Sequence, residues 1–312
     1  MSDENVIEIK DLRKEYKRGF LQKTKPALNG LSLDVARGEV VGFLGPNGAG
    51  KTTTLKILLN FLKPTDGEAF IFGEPVSNPA IHRRIGFLPE TADYYTFLTP
   101  RQLITSYAKL LDMKSSVIKE TVPKLLDSVG LSTSIDDKIK TFSKGMMQRV
   151  GIAQALLNDP ELMILDEPAS GLDPIGRYEI RNLIEQLKSQ GKTIFFSSHE
   201  LSEVEAICDR VIIINKGKLV KQGTLDELVP FLQTYKVIVS GKLDNNDSQL
   251  LNITHSIEDI HGGKILINTK ENISPTEIIE VLKKFNVDII SITKGRQSLE
   301  DTFLELIKKG DN

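Results

Sequence analysis

Apolar and polar side chains alternate along residues 6–12, where Ile7 and Ile9 recur on one side. They alternate again along 31–35, where Leu31, Leu33 and Val35 do the same. A period of two predicts half-buried strands. Between them, residues 19–26 are polar, with Lys23 and Lys25, and are expected to form a surface loop. Residues 39–44 make an apolar run that leads straight into GPNGAGKTT. Leu55, Leu58, Leu59 and Leu62 then follow at helical spacing, with Pro64 expected to end that helix. Residues 67–73 return to strand.

From about 99 to 137 the pattern is helical. Leu103, Tyr107, Leu110 and Leu111 share one face, and Gly130 follows a second helical stretch as a stop. Beyond it the pattern predicts a helix from Ser143, a strand at 162–166 and a helix at 175–189. A strand at 193–197, a helix at 200–208 and a strand at 211–214 follow, with a hairpin turn at 215–218. This alternation argues for a largely parallel sheet with covering helices. After Gly223 the texture changes. Residues 226–233 read as helix, and from Tyr235 the order is strand, helix, strand, strand, helix, strand, as in a ferredoxin-like unit. A last helix carries LEDTFLELIKK, residues 299–309. The expected organisation is an α/β nucleotide-binding domain over 1–223, with a helical subdomain at about 91–157, and a small α+β accessory domain over 224–312.

Composition narrows the functional classes. The chain has 312 residues and a formal net charge of −2, so no global basic field argues for nucleic acid or an anionic membrane surface. The lone Cys208 suits a reducing compartment. No apolar run approaches the roughly 20 residues of a membrane helix, and the first residues lack a signal-peptide pattern. The expected location is the cytoplasm, with any membrane part supplied by another polypeptide.

Residues 45–52, GPNGAGKT, match a phosphate-binding loop placed after a strand and opening a helix. Gly45, Gly48 and Gly50 let backbone amides curl around phosphate oxygens, with Pro46, Asn47, Ala49 and Thr53 completing the loop. The helix N-terminus adds a positive dipole there. Lys51 is expected to reach the β- and γ-phosphates and the Thr52 hydroxyl to ligate Mg²⁺. The apolar strand 162–165 ends in Asp166 and Glu167. Asp166 is placed to hold Mg²⁺, and Glu167 to act as general base or to orient the attacking water. The plainer reading is that these acids cap the loop before Pro168. Ser143 reads as a helix N-cap, with Met146, Val150, Ala153 and Leu157 on the buried face. His255 and His261 lack metal-type partners at useful spacing and read as surface residues.

SKGMMQR (143–149), LMILDE (162–167) and SGLD (170–173), with the phosphate loop, resemble the ATP-binding cassette (ABC) ATPases over residues 6–223. The resemblance implies a P-loop ABC ATPase fold that binds ATP and Mg²⁺. It implies that Tyr16 stacks on adenine and that His199 contacts the γ-phosphate. It also implies that Ser143 and Gly145 act in trans on nucleotide held by a second cassette, with Asp173 at that seam. The second cassette is expected to be another copy of this chain. Two positions depart from the common pattern. Glu90 stands where the family usually has glutamine, and can reach Mg²⁺ or the lytic water. The signature reads FSKGM, so Lys144 and Met146 replace glycine and glutamine. Both departures, and the terminal LEDTFLEL, resemble the bacterial ABC-2 or drug-resistance-type exporter ATPases. That implies separate polytopic membrane subunits and a peripheral position at the inner face of the membrane. Tyr94, Tyr95, Phe97 and Leu98 lie where the family receives a coupling helix, or else pack under the helical subdomain. The alternative function, a soluble ABC ATPase acting on nucleic acid or ribosomes, would carry coiled coils, zinc modules or paired cassettes. None is visible, and no nucleic-acid partner is expected. A P-loop kinase or GTPase has no place for SKGMMQR or His199.

Overall fold

The computed structural model describes residues 5–16, 25–91, 93–229, 231–243 and 247–310. The expected polar loop at 19–26 lies outside these residues except for Lys25 and Pro26, which begin a strand. The chain divides into two compact units, 1–225 with 303–312, and 226–302.

The first unit opens with β1 (Asn5–Tyr16) and β2 (Lys25–Ala36), paired antiparallel. β3 (Val40–Leu44) is buried throughout and feeds the phosphate loop, after which α1 (Lys51–Leu58) begins. That helix stops earlier than its leucine spacing predicts. Asn60 adopts φ 57°, a left-handed conformation that ends the helical ladder well before Pro64. Leu59 and Leu62 still pack on the core, from outside the helix. β4 (Asp66–Ile71) and β5 (Glu74–Pro75) complete a four-stranded antiparallel sheet in the order β2-β1-β4-β5. After a 3₁₀ turn at Pro79–Arg84 comes β6 (Ile85–Leu88), a strand the sequence reading passed over. Four residues are too few to show a period.

Between β6 and the next strand the chain is helical: α2 (Pro100–Leu110), α3 (Ser115–Ser128) and α4 (Lys144–Leu156). Thr99 starts α2 with a reciprocal capping box to Gln102. Then follow β7 (Leu162–Asp166), α5 (Pro174–Ser189), β8 (Thr193–Ser198), α6 (Leu201–Ile207), β9 (Arg210–Asn215) and β10 (Lys218–Thr224). These boundaries match the predicted pattern within a residue or two. The turn between β9 and β10 places Lys216 at φ 47° and Gly217 at φ 74°, as a two-residue hairpin requires.

The main sheet has the order β10-β9-β3-β8-β7-β6. β9, β3, β8, β7 and β6 are parallel, and β10 is antiparallel at one edge. β3, β7 and β8 therefore end side by side, which is where open α/β sheets bind ligands. One core joins this sheet to the antiparallel one through α1. Ile7, Leu31, Val35, Leu55, Leu58, Phe43, Ile164 and Phe195 belong to one buried cluster. The Phe43 and Phe195 rings lie 5.1 Å apart. Each such side chain stabilises the unit by roughly 1.5–3 kcal/mol relative to exposure, so the floor of the site is rigid.

A short helix α7 (Leu225–Leu228) precedes β11 (Phe231–Ser240), so the expected helix at 226–233 holds only to Leu228 and is strand from Phe231. Pro230 in the sequence disfavours helical backbone at the residue before it. α8 (Ser248–Ile253), β12 (Thr254–Ile260), β13 (Lys264–Thr269), α9 (Pro275–Leu282) and β14 (Asp288–Arg296) follow. The antiparallel order β12-β13-β11-β14 is the ferredoxin-like arrangement that the element order predicted. Its own core centres on Val237, Val239, Ile267, Ile278 and Leu282. The last helix, α10 (Leu299–Gly310), crosses the division between the units: Thr302 ends the second, and Phe303 returns to the first.

Candidate nucleotide site

β3 ends at Leu44 and the chain turns over the sheet edge. A Cβ on Gly45 would lie 2.5 Å from the Ile214 carbonyl oxygen and 2.8 Å from Ala49 Cβ, so only glycine fits. Gly50 sits at φ 113° as the N-cap of α1 and makes no side-chain cap. The first amides of the helix are thus left for a ligand rather than for a capping side chain. Lys51 is buried, and its Nζ donates to the Gly45 carbonyl (2.7 Å) and lies 3.6 Å from Glu167 Oε1.

β7 delivers the two carboxylates. Asp166 is buried, and its Oδ1 accepts from the Ser197 hydroxyl at 2.6 Å. Burial is the main cause that pushes the Asp166 carboxyl above the ordinary range, and neighbouring Glu167 adds to it. The Ser197 hydroxyl, Lys51 and Lys56 oppose it. Glu167 adopts φ 53°, unusual for a residue with a side chain. Its N–H is held by the Ser197 carbonyl (3.2 Å) and hydroxyl (3.0 Å). Its Oε2 accepts from His199 Nδ1 at 2.6 Å and from the His199 N–H at 3.3 Å. Strain of about 1–3 kcal/mol at such a residue persists only where its surroundings over-determine it. Here β8 supplies that constraint.

Lys51, Glu167 and His199 border one cavity of about 610 Å³, whose lining also includes Tyr16, Pro46, Asn47, Gly48, Gly50, Thr52, Thr53 and Glu90; Gly45, Ala49 and Asp166 are not among its lining residues. Tyr16, at the end of β1, is 42% exposed, and its hydroxyl lies 3.4 Å from Thr53 Oγ1. An aromatic face at one end and a lysine with helix amides at the other suit a base and a polyphosphate. The sequence reading missed Ser197, which ties the Asp166 carboxylate and the Glu167 backbone N–H to β8, and Lys25, Pro26 and Ala27, which also line the cavity. The paired serines of FFSSHE at a strand end were the available signal.

Ser143, Gly145 and Asp173 are not among the described residues lining this cavity. Ser143 caps α4, its hydroxyl accepting from the Met146 N–H at 3.2 Å. Asp173 caps α5 by accepting from the Gly176 N–H at 2.8 Å. Gly145 lies beside α5: a Cβ there would be 4.0 Å from Gly176 Cα. Lys144 reaches the loop after β7, where a Cβ on Gly171 would meet its Nζ at 2.4 Å. Among the described residues no cluster of three or more His, Cys, Asp or Glu could hold a metal ion.

Burial makes Asp166 a stability cost where it is ionised. Its carboxyl is raised in the folded state, so its contribution is favourable below the unfolded value and is lost as pH rises through the folded one. Asp166→Asn is therefore expected to raise the melting temperature at neutral pH, measured without nucleotide, while eliminating ATP turnover. An unchanged or lower melting temperature would show that burial is not what sets this carboxyl.

The fold and the cavity define a P-loop nucleotide-binding protein, with two carboxylates and a histidine grouped at the phosphate end. The ABC transporter family profile matches residues 28–170. An uncharacterized ABC transporter ATP-binding protein of Nostoc sp. is 43% identical over 98% of this chain and 91% of its own length. The bacitracin transport ATP-binding protein BcrA of Bacillus licheniformis is 38% identical over 98% of each. Among solved structures, the MJ0796 cassette dimer in a post-hydrolysis state with ADP and Pi superposes with a TM-score of 0.63. It is 27% identical and covers 70% of this chain and 98% of that one. CbiO1 of Clostridium perfringens, part of the transporter complex cbiONQ, gives a TM-score of 0.65 at 29% identity, covering 72% and 90%. The chain belongs to the ATP-binding proteins of ABC transporters. It is an ATPase, as its motifs indicated, and serves a membrane transporter rather than nucleic acid or ribosomes. Among the described residues no helix is long and apolar enough to cross a membrane.

Proposed function

We propose that this chain is the ATP-hydrolysing subunit of a membrane exporter, working as a pair of cassettes with two nucleotides between them. The observation that carries this reading is the split of the motif residues. Lys51, Glu167 and His199 surround one cavity, whereas Ser143 and Gly145 stand outside it at an exposed helix start. A second copy placed head to tail would add its Ser143 hydroxyl, Gly145 amide and helix dipole to the phosphate end of this cavity. Asp173, at the start of α5, would lie at the seam.

The chemistry follows from how Glu167 is held. One carboxylate oxygen lies 3.6 Å from Lys51 and the other bonds His199 at 2.6 Å. Phosphate oxygens at Lys51 compete for the ammonium and leave Oε1 to accept a proton from the attacking water. His199 keeps Glu167 in place through Nδ1, which leaves Nε2 for the γ-phosphate. Tyr16 stacks on the base. Thr52 and Asp166 offer a hydroxyl and a carboxylate, hard oxygen donors that would hold Mg²⁺, with Glu90 as a further candidate oxygen ligand. Such an ion would neutralise charge on the β- and γ-phosphates.

Export rather than import is supported by Glu90, Lys144 and Met146, which resemble the drug-resistance-type branch, and an antibiotic-type cargo by the likeness to the bacitracin transport ATP-binding protein BcrA. The membrane partner's docking place is supported by an exposed apolar cleft of about 270 Å³, lined by Tyr95, Phe97, Leu98, Leu103, Tyr107 and Leu110 among others. Tyr94 instead packs inward, its hydroxyl against Gly151 of α4, so of the aromatic group Tyr95 and Phe97 are the receptors. The chain would sit at the inner face of the membrane without entering it. Affinity purification of the tagged chain from its own membranes is expected to recover a polytopic membrane protein, whose presence stimulates ATP turnover. Recovery of ribosomes or DNA-bound proteins alone would sink the proposal.

A further inference from the structure

Helix α10 carries the LEDTFLEL motif, to which the nucleotide chemistry assigns no task. Its pattern is amphipathic. Leu299, Thr302, Phe303, Leu306 and Ile307 are buried or half-buried at helical spacing, while Glu300, Asp301, Leu304, Glu305 and Lys308 are exposed. Phe303 belongs to the nucleotide-binding unit. It faces a second cavity of about 240 Å³, walled by the end of β3 with the start of the phosphate loop (Leu44, Gly45, Pro46, Asn47) and by Ser198, His199 and Leu201. Pro46, Asn47 and His199 also line the nucleotide cavity. The two cavities therefore adjoin at these three residues, and Phe303 lines the second of them.

We propose that Phe303 is a positioning residue for ATP hydrolysis, bracing His199 and the first turn of the phosphate loop from behind. Among the described residues, the hydrogen bonds of His199 run to Glu167, through Nδ1 and the backbone N–H. Its side chain is 50% exposed, whereas its neighbours are held more firmly: Ser198 pairs with Leu44 in the sheet, and Glu200 is bonded by Ser198 Oγ at 2.9 Å and by Arg177 at 3.3 Å. A phenylalanine has few rotamers and a large contact area, so its ring limits how far His199 can retreat. Removing the ring enlarges this cavity and lets His199 move away from the reacting phosphate. ATP affinity is set by Lys51 and the loop amides and changes little. A misplacement of a fraction of an ångström at a catalytic geometry is felt in kcat.

This inference rests on the reading of His199 as the γ-phosphate contact, and the test separates the two. In the full chain, Phe303→Ala is expected to lower kcat for ATP about tenfold with KM within about twofold. It is also expected to move the His199 ring resonance in spectra of histidine-labelled protein, assigned through His199→Ala. Leu304→Ala, on the exposed side of the same helix, is expected to leave both unchanged. Phe303→Leu restores part of the bulk and part of kcat, and carries the test if the alanine variant does not fold. Wild-type kcat with an unmoved His199 resonance, in whichever Phe303 variant folds, overturns the proposal. So does a kcat loss equalled by Leu304→Ala. If His199→Ala itself turns over ATP at the wild-type rate, the assignment of His199 fails instead.

Discussion

Glu167→Gln protein is expected to bind ATP as the wild type does, to form a stable cassette dimer on ATP, and to hydrolyse about 10²–10⁴-fold more slowly. The substitution keeps size and shape. The amide oxygen can still accept from His199 Nδ1, which bonds the carboxylate at 2.6 Å, and the backbone bonds to Ser197 do not involve the side chain. What is lost is the negative oxygen beside Lys51 that takes the proton from water. Steady-state phosphate release and gel filtration with and without ATP separate binding, pairing and chemistry. Undiminished hydrolysis would remove Glu167 from the mechanism. A collapse of ATP binding would assign it to holding the phosphate loop.

Ser143→Arg is expected to abolish turnover by about 10²-fold or more without loss of ATP binding. Ser143 is exposed and does not line the cavity of its own chain, so a bulky cation there reaches only nucleotide held by another copy. Loss of the α4 cap accounts for roughly 1 kcal/mol of stability, which Ser143→Ala measures separately. The decisive experiment mixes Ser143→Arg with Glu167→Gln protein. In a head-to-tail pair both defects fall on one composite site and the other is intact, so activity returns on mixing. If each site were built from a single chain, mixing two dead proteins would restore nothing. Equilibrium binding of a fluorescent ATP analogue completes the test: lost binding by the single variant contradicts a role in trans.

Much of this was legible in residue order. The phosphate loop after a buried strand, the acids ending β7 and the cap at Ser143 are all local devices spanning a handful of residues. Their chemistry can be read wherever strand and helix periods bracket them. The ferredoxin-like unit was legible for the same reason, because element order nearly dictates strand order. The misreadings share a cause. The leucine spacing of α1 runs past the helix because it belongs to core packing: Leu59 is buried and Leu62, beyond Asn60, is half-buried against the core without a helix. β6 was passed over because a four-residue edge strand has no period, although it carries the chain to Glu90.

The sequence alone determined the nucleotide class and marked Lys51, Asp166, Glu167 and His199 as candidates, of which Lys51, Glu167 and His199 line one cavity. Each is fixed to the end of its own element by local patterning. Only the tertiary structure decided how those ends meet. β7 and β8 lie side by side, so Ser197 binds Asp166 and holds Glu167 in a left-handed conformation. Ser143 and Asp173, adjacent to the site in sequence logic, stand outside their own cavity, and Phe303, remote in sequence, lines a second cavity that shares Pro46, Asn47 and His199 with it. Contacts across that much chain depend on sheet order and packing, which no local period encodes.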